Sequence, residues 1–163
     1  ICNGFQVLVK CGLLPGLRRG EVDATLAAND SGRYEDRWVR LRVEDSRASW
    51  LPRGTVLELS TAHGEGKFLA RDAEVLQAIE RERLVAFRYV GPSGEAAVYP
   101  WNPNGSQGGI AGLCDPTGRI LGLMPHPDRS FLFHHAPDWT RGSERKEGAG
   151  AQFFRALVAA AKD

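Results

Sequence analysis

Ile1-Cys2-Asn3-Gly4-Phe5-Gln6 opens the chain, and Val7-Leu8-Val9-Lys10-Cys11-Gly12 follows directly. An apolar residue feeds a cysteine, a glycine stands two positions later, and an amphipathic helix begins at once. That order predicts a nucleophile elbow, a tight strand-to-helix turn that lifts a thiol clear of the backbone. On this reading Gly4 is required because the turn leaves no room for a Cβ. Cys2 then lies at a helix N-terminus, where unpaired N–H groups and the macrodipole favour an anion, and the thiolate is the nucleophilic form. A buried, inert cysteine at a strand end fits the same residues.

A strand is expected ahead of Cys2, yet only Ile1 stands there, and the chain does not begin with Met. The sequence therefore reads as a fragment, a processed product or part of a longer chain, with 1–163 forming one domain. Its 21 Lys and Arg against 20 Asp and Glu leave a net charge of +1, so nothing draws it to nucleic acid or an anionic membrane. No run approaches the ~20 apolar residues needed to span a bilayer. Cys2, Cys11 and Cys114 are too irregularly spaced for a disulfide framework or a zinc site, which points to a reducing, cytoplasmic compartment.

The pattern predicts a first helix over 3–12 and a turn at Leu13-Leu14-Pro15-Gly16. The polar stretch 17–35 reads as irregular, with Asn29-Asp30-Ser31-Gly32 a loop. Trp38, Val39, Leu41 and Val43 among Arg37, Arg40, Arg42 and Glu44 predict a strand with one wetter face, and 55–62 a second. Asp72 is placed to cap a helix over 73–83, with Val75, Leu76 and Ile79 as its buried stripe. A strand over 84–90, a short extended piece over 96–99 and a loop over 101–109 follow. A hairpin of 110–114 and 119–124 turns at Asp115-Pro116-Thr117-Gly118, and 134–149 is polar and irregular. A last helix over 150–162 carries Phe153, Phe154, Leu157, Val158 and Ala161 towards the core. The mixture predicts an α/β domain.

A cysteine nucleophile needs a base and a group that orients the base. Of His63, His126, His134 and His135, His126 is the best placed. Pro125 and Pro127 restrict the backbone around it, and Asp128 stands two residues on, on the same side of an extended segment. Cys2, His126 and Asp128 thus form a candidate triad; a rigid surface turn is the competing reading of Pro-His-Pro-Asp. His63-Gly64-Glu65-Gly66 reads as a ligand-approach segment or as a polar turn. His134 and His135 with Asp138 lack a third ligand at sensible spacing, so no metal site is expected. Cys11 and Cys114 read as core or strand residues.

Taken together, these stretches resemble the class I (triad) glutamine amidotransferases. The elbow resembles their Cys-x-Gly-x-Gln pattern, without the further Gly that usually precedes it. Cys-Asn-Gly-Phe-Gln, Ala62-His63-Gly64-Glu65-Gly66, Asn102-Pro103-Asn104-Gly105-Ser106 and Met124-Pro125-His126-Pro127 occur together in one branch, the glutaminases of phosphoribosylformylglycinamidine synthase. Leu13-Leu14-Pro15-Gly16 and Phe87-Arg88-Tyr89 fit that branch too. The resemblance implies a flavodoxin-like α/β fold, seen here from the elbow onward, with a mixed sheet and helices on both faces. It implies that Cys2 attacks the side-chain amide of L-glutamine, that His126 relays protons and that Asp128 orients it. The family pattern has Glu at that last place, so Asp128 draws the carboxylate back by about one C–C bond.

The resemblance further implies that the Asn3 N–H serves an oxyanion hole. Gln6, His63, Gly64, Glu65 and Gly66 line the glutamine pocket on this view, and the Asn102–Ser106 loop approaches that pocket or faces a partner. No cofactor is implied for this domain; ATP and Mg2+ belong to a synthetase domain or subunit that receives the ammonia, with a small accessory subunit beside it. A glutaminase feeding another synthetase, a catalytically silent interaction domain of the same fold, and a cysteine protease or deglycase of similar topology are the alternatives.

Overall fold

The computed structural model describes residues 1–141 and 147–162. In chain order these form α1 (Asn3–Lys10), β1 (Ala24–Ala28), β2 (Glu35–Val43), β3 (Val56–His63), β4 (Glu65–Ala70), α2 (Ala73–Arg81), β5 (Val85–Val90), β6 (Ile110–Cys114), β7 (Leu121–Leu123) and α3 (Ala149–Ala160). One sheet has the order β3-β2-β5-β6-β7, and β1 pairs with β4 in a second, two-stranded one. The ladders between these strands are antiparallel.

Helices cover both faces. Phe5 and Val9 of α1 and Val75 and Ile79 of α2 pack with Leu26, Phe68, Leu84, Ile110 and Leu113 in one core. Phe153 of α3 packs with Val39, Leu41, Leu57, Leu59, Phe87 and Leu123 in the other. Gly122 makes the close fit of α1 possible: a Cβ there would stand 2.2 Å from the Phe5 ring. Asp72 caps α2 as expected, accepting from the Val75 N–H at 2.8 Å.

Two strands stand where the sequence pattern predicts polar loop and turn. β1 and β4 hydrogen-bond to one another from Ala24↔Ala70 to Ala28↔Glu65. Neither segment carries a long alternating pattern; each becomes a strand only through its partner, 37 to 46 residues away in sequence. The strand expected from Trp38 begins at Glu35, and 96–99 provides one bridge, Val90↔Ala96, rather than a strand. α1 ends at Lys10, and Gly12 turns the chain at φ +68°, where a Cβ would meet the Glu21 carbonyl at 2.7 Å.

α3 buries Ala151 and Phe153, but Leu157 and Val158 are exposed and do not form the expected core stripe. The helix packs on β3 and the 127–130 turn, with Ala149, Phe154 and Ala156 partly buried against the second core. Of the irregular stretch expected over 134–149, a short 3-10 turn spans Phe133–His135, and 142–146 lie outside the described residues. Among the described residues, no helix is long and apolar enough to cross a membrane.

Candidate active site

Cys2 sits at φ 51°, ψ −111°, immediately before α1. A side chain other than glycine at positive φ is strained, and such strain concentrates at functional sites. The turn is held in place by the Cys2 N–H, which donates to the Leu123 carbonyl of β7 at 2.8 Å. The Phe5 and Gln6 N–H groups close onto the Cys2 carbonyl at 2.9 and 3.1 Å. The Asn3 N–H is at the first helical position, where no carbonyl of its own helix lies behind it. The half-buried thiol stands 4.0 Å from the Ala62 carbonyl of β3.

The expected crowding at Gly4 is not found. Beyond its chain neighbours and the helix's own backbone, no atom would lie within 4 Å of a Cβ built there, because Gly4 is on the exposed side of α1 while Phe5 points into the core. Nothing within the described chain calls for a glycine at this position.

His126 reaches the same end of β3. Its N–H donates to the Ser60 carbonyl at 2.7 Å, two residues from the carbonyl that the thiol faces. Ser130, which no sequence motif singles out, fastens this turn: its hydroxyl accepts from the Ser60 N–H at 3.2 Å and donates to the His126 carbonyl at 3.3 Å. The spacing of four from His126 to Ser130 is the available signal, legible only once 127–130 is known to be a 3-10 turn. The Nδ1 of His126 is 3.3 Å from Asp128 Oδ1, close enough for ion pairing but without full hydrogen-bond geometry. Nε2 is buried with no hydrogen-bond partner among the described residues. Burial, and then the nearby Arg129, hold the imidazole below its ordinary pKa, while Asp128 pulls the other way. Burial thus favours the neutral imidazole, the form that accepts a proton.

The residues of the His63–Gly66 segment divide. His63 is turned inward and buried, its Nδ1 3.1 Å from Asn29 Oδ1 and its Nε2 3.5 Å from Asn104 Nδ2. Burial, and secondarily the charge of His126, push its pKa down to about 4. Gly66 lies against that ring, and a Cβ there would fall 2.5 Å from it. Gly64 and Glu65 are not enclosed, and the Glu65 carbonyl accepts from Gln6 Nε2 at 2.8 Å. The Gln6 amide is therefore engaged by the start of β4.

The Asn102–Ser106 loop is anchored from within, while Asn102, Pro103 and Gly105 line a surface cavity with Asp30, Ser31 and Tyr99. Asn102, Asn104 and Ser106 are buried. Asn104 Nδ2 donates to the Tyr89 hydroxyl at 3.2 Å, and Asn104 Oδ1 accepts from Ser106 Oγ at 2.7 Å. Ser106 Oγ in turn accepts from the Phe68 N–H of β4 at 2.9 Å. His134 and His135 stack edge-to-face in the turn that follows 127–130, and no group of three His, Cys, Asp or Glu suited to a metal occurs among the described residues.

The chain as a whole matches a known family. Residues 1–159 fit the model of the CobB/CobQ-like glutamine amidotransferase domain. The chain belongs to that family. Among curated relatives of this amidotransferase family, the phosphoribosylformylglycinamidine synthase subunit PurQ of Methanococcus maripaludis is 43% identical over 143 residues, 85% of this chain and 53% of the relative. PurQ of Archaeoglobus fulgidus is 38% identical, across 97% of this chain and 60% of its own length. The chain spans about half the length of the curated relatives it matches. A chain of the PurLQS structure from Thermotoga maritima superposes with a TM-score of 0.63 at 28% identity, covering 96% of this chain and 58% of that one. The chain therefore has the α/β, flavodoxin-like amidotransferase fold.

Proposed function

We propose that this domain is the glutaminase part of a phosphoribosylformylglycinamidine synthase, with Cys2 as nucleophile, His126 as base and acid, and Asp128 orienting the imidazole. The observation that carries this is the strained Cys2 backbone at φ 51°, with its thiol and the neutral His126 both brought to the end of β3.

His126 takes the Cys2 thiol proton, and the sulfur attacks the side-chain carbonyl carbon of glutamine as a thiolate. The oxyanion that forms lies at the start of α1, where the Asn3 N–H and the helix dipole stabilise negative charge; one such donor is typically worth about 10²–10³ in rate. The tetrahedral intermediate collapses, the C–N bond breaks, and imidazolium His126 gives its proton to the departing nitrogen, which leaves as ammonia. A γ-glutamyl thioester remains. Water then attacks it as His126 takes a proton; the C–S bond breaks, glutamate departs, and the imidazolium returns its proton to the Cys2 sulfur. Gln6 and the Glu65–Gly66 backbone wall the pocket.

Ammonia is mostly ammonium at neutral pH, so productive use requires direct delivery to a synthetase, with a small accessory subunit in the assembly. The two hydrolytic half-reactions need a nucleophile, a base and water, and the proposal gives this domain no cofactor. ATP and Mg2+ would serve the synthetase as it converts formylglycinamide ribonucleotide to its amidine in purine synthesis, a cytoplasmic pathway on this reading. Cys2→Ala tests it in the complete synthase: glutamine-dependent synthesis is expected to disappear while ammonia-dependent synthesis survives. Persistence of glutamine-dependent turnover would remove Cys2 as the nucleophile.

A further inference from the structure

We infer that His63 and Asn104 are positioning residues for the glutamine pocket, a buried pair that sets the place of the Glu65–Gly66 backbone against the elbow helix. The inference rests on the glutaminase reading above. Neither side chain is open to substrate: His63 is 4% and Asn104 0% exposed.

The hydrogen bonds define an orientation for both side chains. Asn29 spends its two amide protons on the carbonyls of His63 and Arg33, at 2.8 and 2.9 Å. Its Oδ1 must therefore accept, and His63 Nδ1, at 3.1 Å, must be the nitrogen that carries hydrogen. That leaves Nε2 as an acceptor facing Asn104 Nδ2 at 3.5 Å. Asn104 is held this way round by its Oδ1, which accepts from the Ser106 N–H at 3.0 Å, a proton shared with Asn102 Oδ1 at 3.1 Å, and from the Ser106 hydroxyl at 2.7 Å, which also has the Gly66 carbonyl at 3.3 Å. Orientation and tautomer of the imidazole are both determined.

The held ring is the surface on which Gly66 rests, with a Cβ excluded at 2.5 Å. One residue earlier, the Glu65 carbonyl takes the Gln6 amide proton at 2.8 Å, and Gln6 lies one helical turn beyond Cys2. A movement of His63 is thus passed to the start of β4 and from there to the elbow. A purely apolar cluster would hold the strands together equally well. What the polar pair adds is one defined orientation beside the pocket wall.

The test is steady-state kinetics of the complete synthase. Asn104→Ala and His63→Leu are expected to raise the KM for glutamine about tenfold or more with kcat within about threefold, the mark of lost ground-state binding. Ammonia-dependent synthesis should not change. His63→Asn keeps a donor at the place of Nδ1 and should recover most of the KM. If the variants fold with a lowered melting temperature and an unaltered KM, the pair is structural only and the inference fails. Should Asn104→Ala not fold, Gly66→Ala, which drives a methyl group into the ring, replaces it: a raised KM supports the inference and an unaltered KM overturns it. Cys2→Ala run alongside separates the two readings. Glutamine-dependent turnover in that variant sinks the glutaminase assignment and the inference with it, whereas an inactive Cys2→Ala with normal KM in the other variants sinks the inference alone.

Discussion

Gln6 donates its side-chain amide to the Glu65 carbonyl at 2.8 Å, a bond that spans 59 residues and joins the elbow helix to the first residue of β4. The contact ties the strained cysteine to a strand whose own position depends on the buried amides beneath it.

Breaking that bond should loosen the site more than the fold. Gln6→Ala is expected to cost less than about 1 kcal/mol in denaturant titration, because the bond is exposed. Gln6→Glu should be worse for glutamine KM than Gln6→Ala, since it sets a carboxylate oxygen against the Glu65 carbonyl. Equal KM values for the two variants would show that Glu65 does not follow Gln6.

Asp128 tunes His126 from 3.3 Å, half exposed to solvent. Asp128→Ala should lower kcat of the glutamine-dependent reaction by roughly tenfold to a hundredfold, less than loss of the base itself. Asp128→Glu, whose longer arm reaches further, should equal or exceed the parent. Burial holds the imidazole below its ordinary pKa and Asp128 alone among the charged neighbours named opposes this by raising it. Removing the carboxylate therefore moves the acid limb of kcat/KM to lower pH. A shift to higher pH would contradict the arrangement.

Stability should fall as pH drops from about 6.5 towards 4. His63 titrates near 6.5 when unfolded and at about 4 when folded, so between these values the unfolded chain binds more protons. Its contribution is complete above the unfolded value, is worth roughly 3 kcal/mol in all, and is spent once pH has reached the folded one. His126, shifted the same way, adds to the slope. Urea melts across this window should show the decline, and His63→Asn should flatten it. An unchanged slope in that variant would place the origin elsewhere.

Two glycines of the opening stretch should respond oppositely to alanine. Gly12→Ala forces a side chain to φ +68° and against the Glu21 carbonyl at 2.7 Å, and should destabilise by about 1–3 kcal/mol. Gly4→Ala meets open space inside a helix and should be neutral or stabilise by up to about 1 kcal/mol. Thermal unfolding of the two variants decides it. Marked destabilisation by Gly4→Ala would restore the crowded elbow that the sequence pattern suggests.

The sequence alone determined the elbow, the cap of α2 at Asp72, the cores of β2 and β3 and the family, because each is written in neighbouring residues. The elbow is written in a cysteine set directly ahead of an amphipathic helix, a helix start in its cap three residues away, and a half-buried strand in its own alternation. It also nominated Cys2, His126 and Asp128 as one set. Tertiary structure alone decided that 24–28 and 65–70 are strands, that Ser130 fastens the His126 turn, that Gly4 is uncrowded and that His63 faces inward to Asn29 and Asn104. Those facts depend on partners tens of residues distant or on which side of a turn faces solvent. Hydrogen bonding and close packing act through space, and a local pattern carries no record of what the chain brings back to meet it.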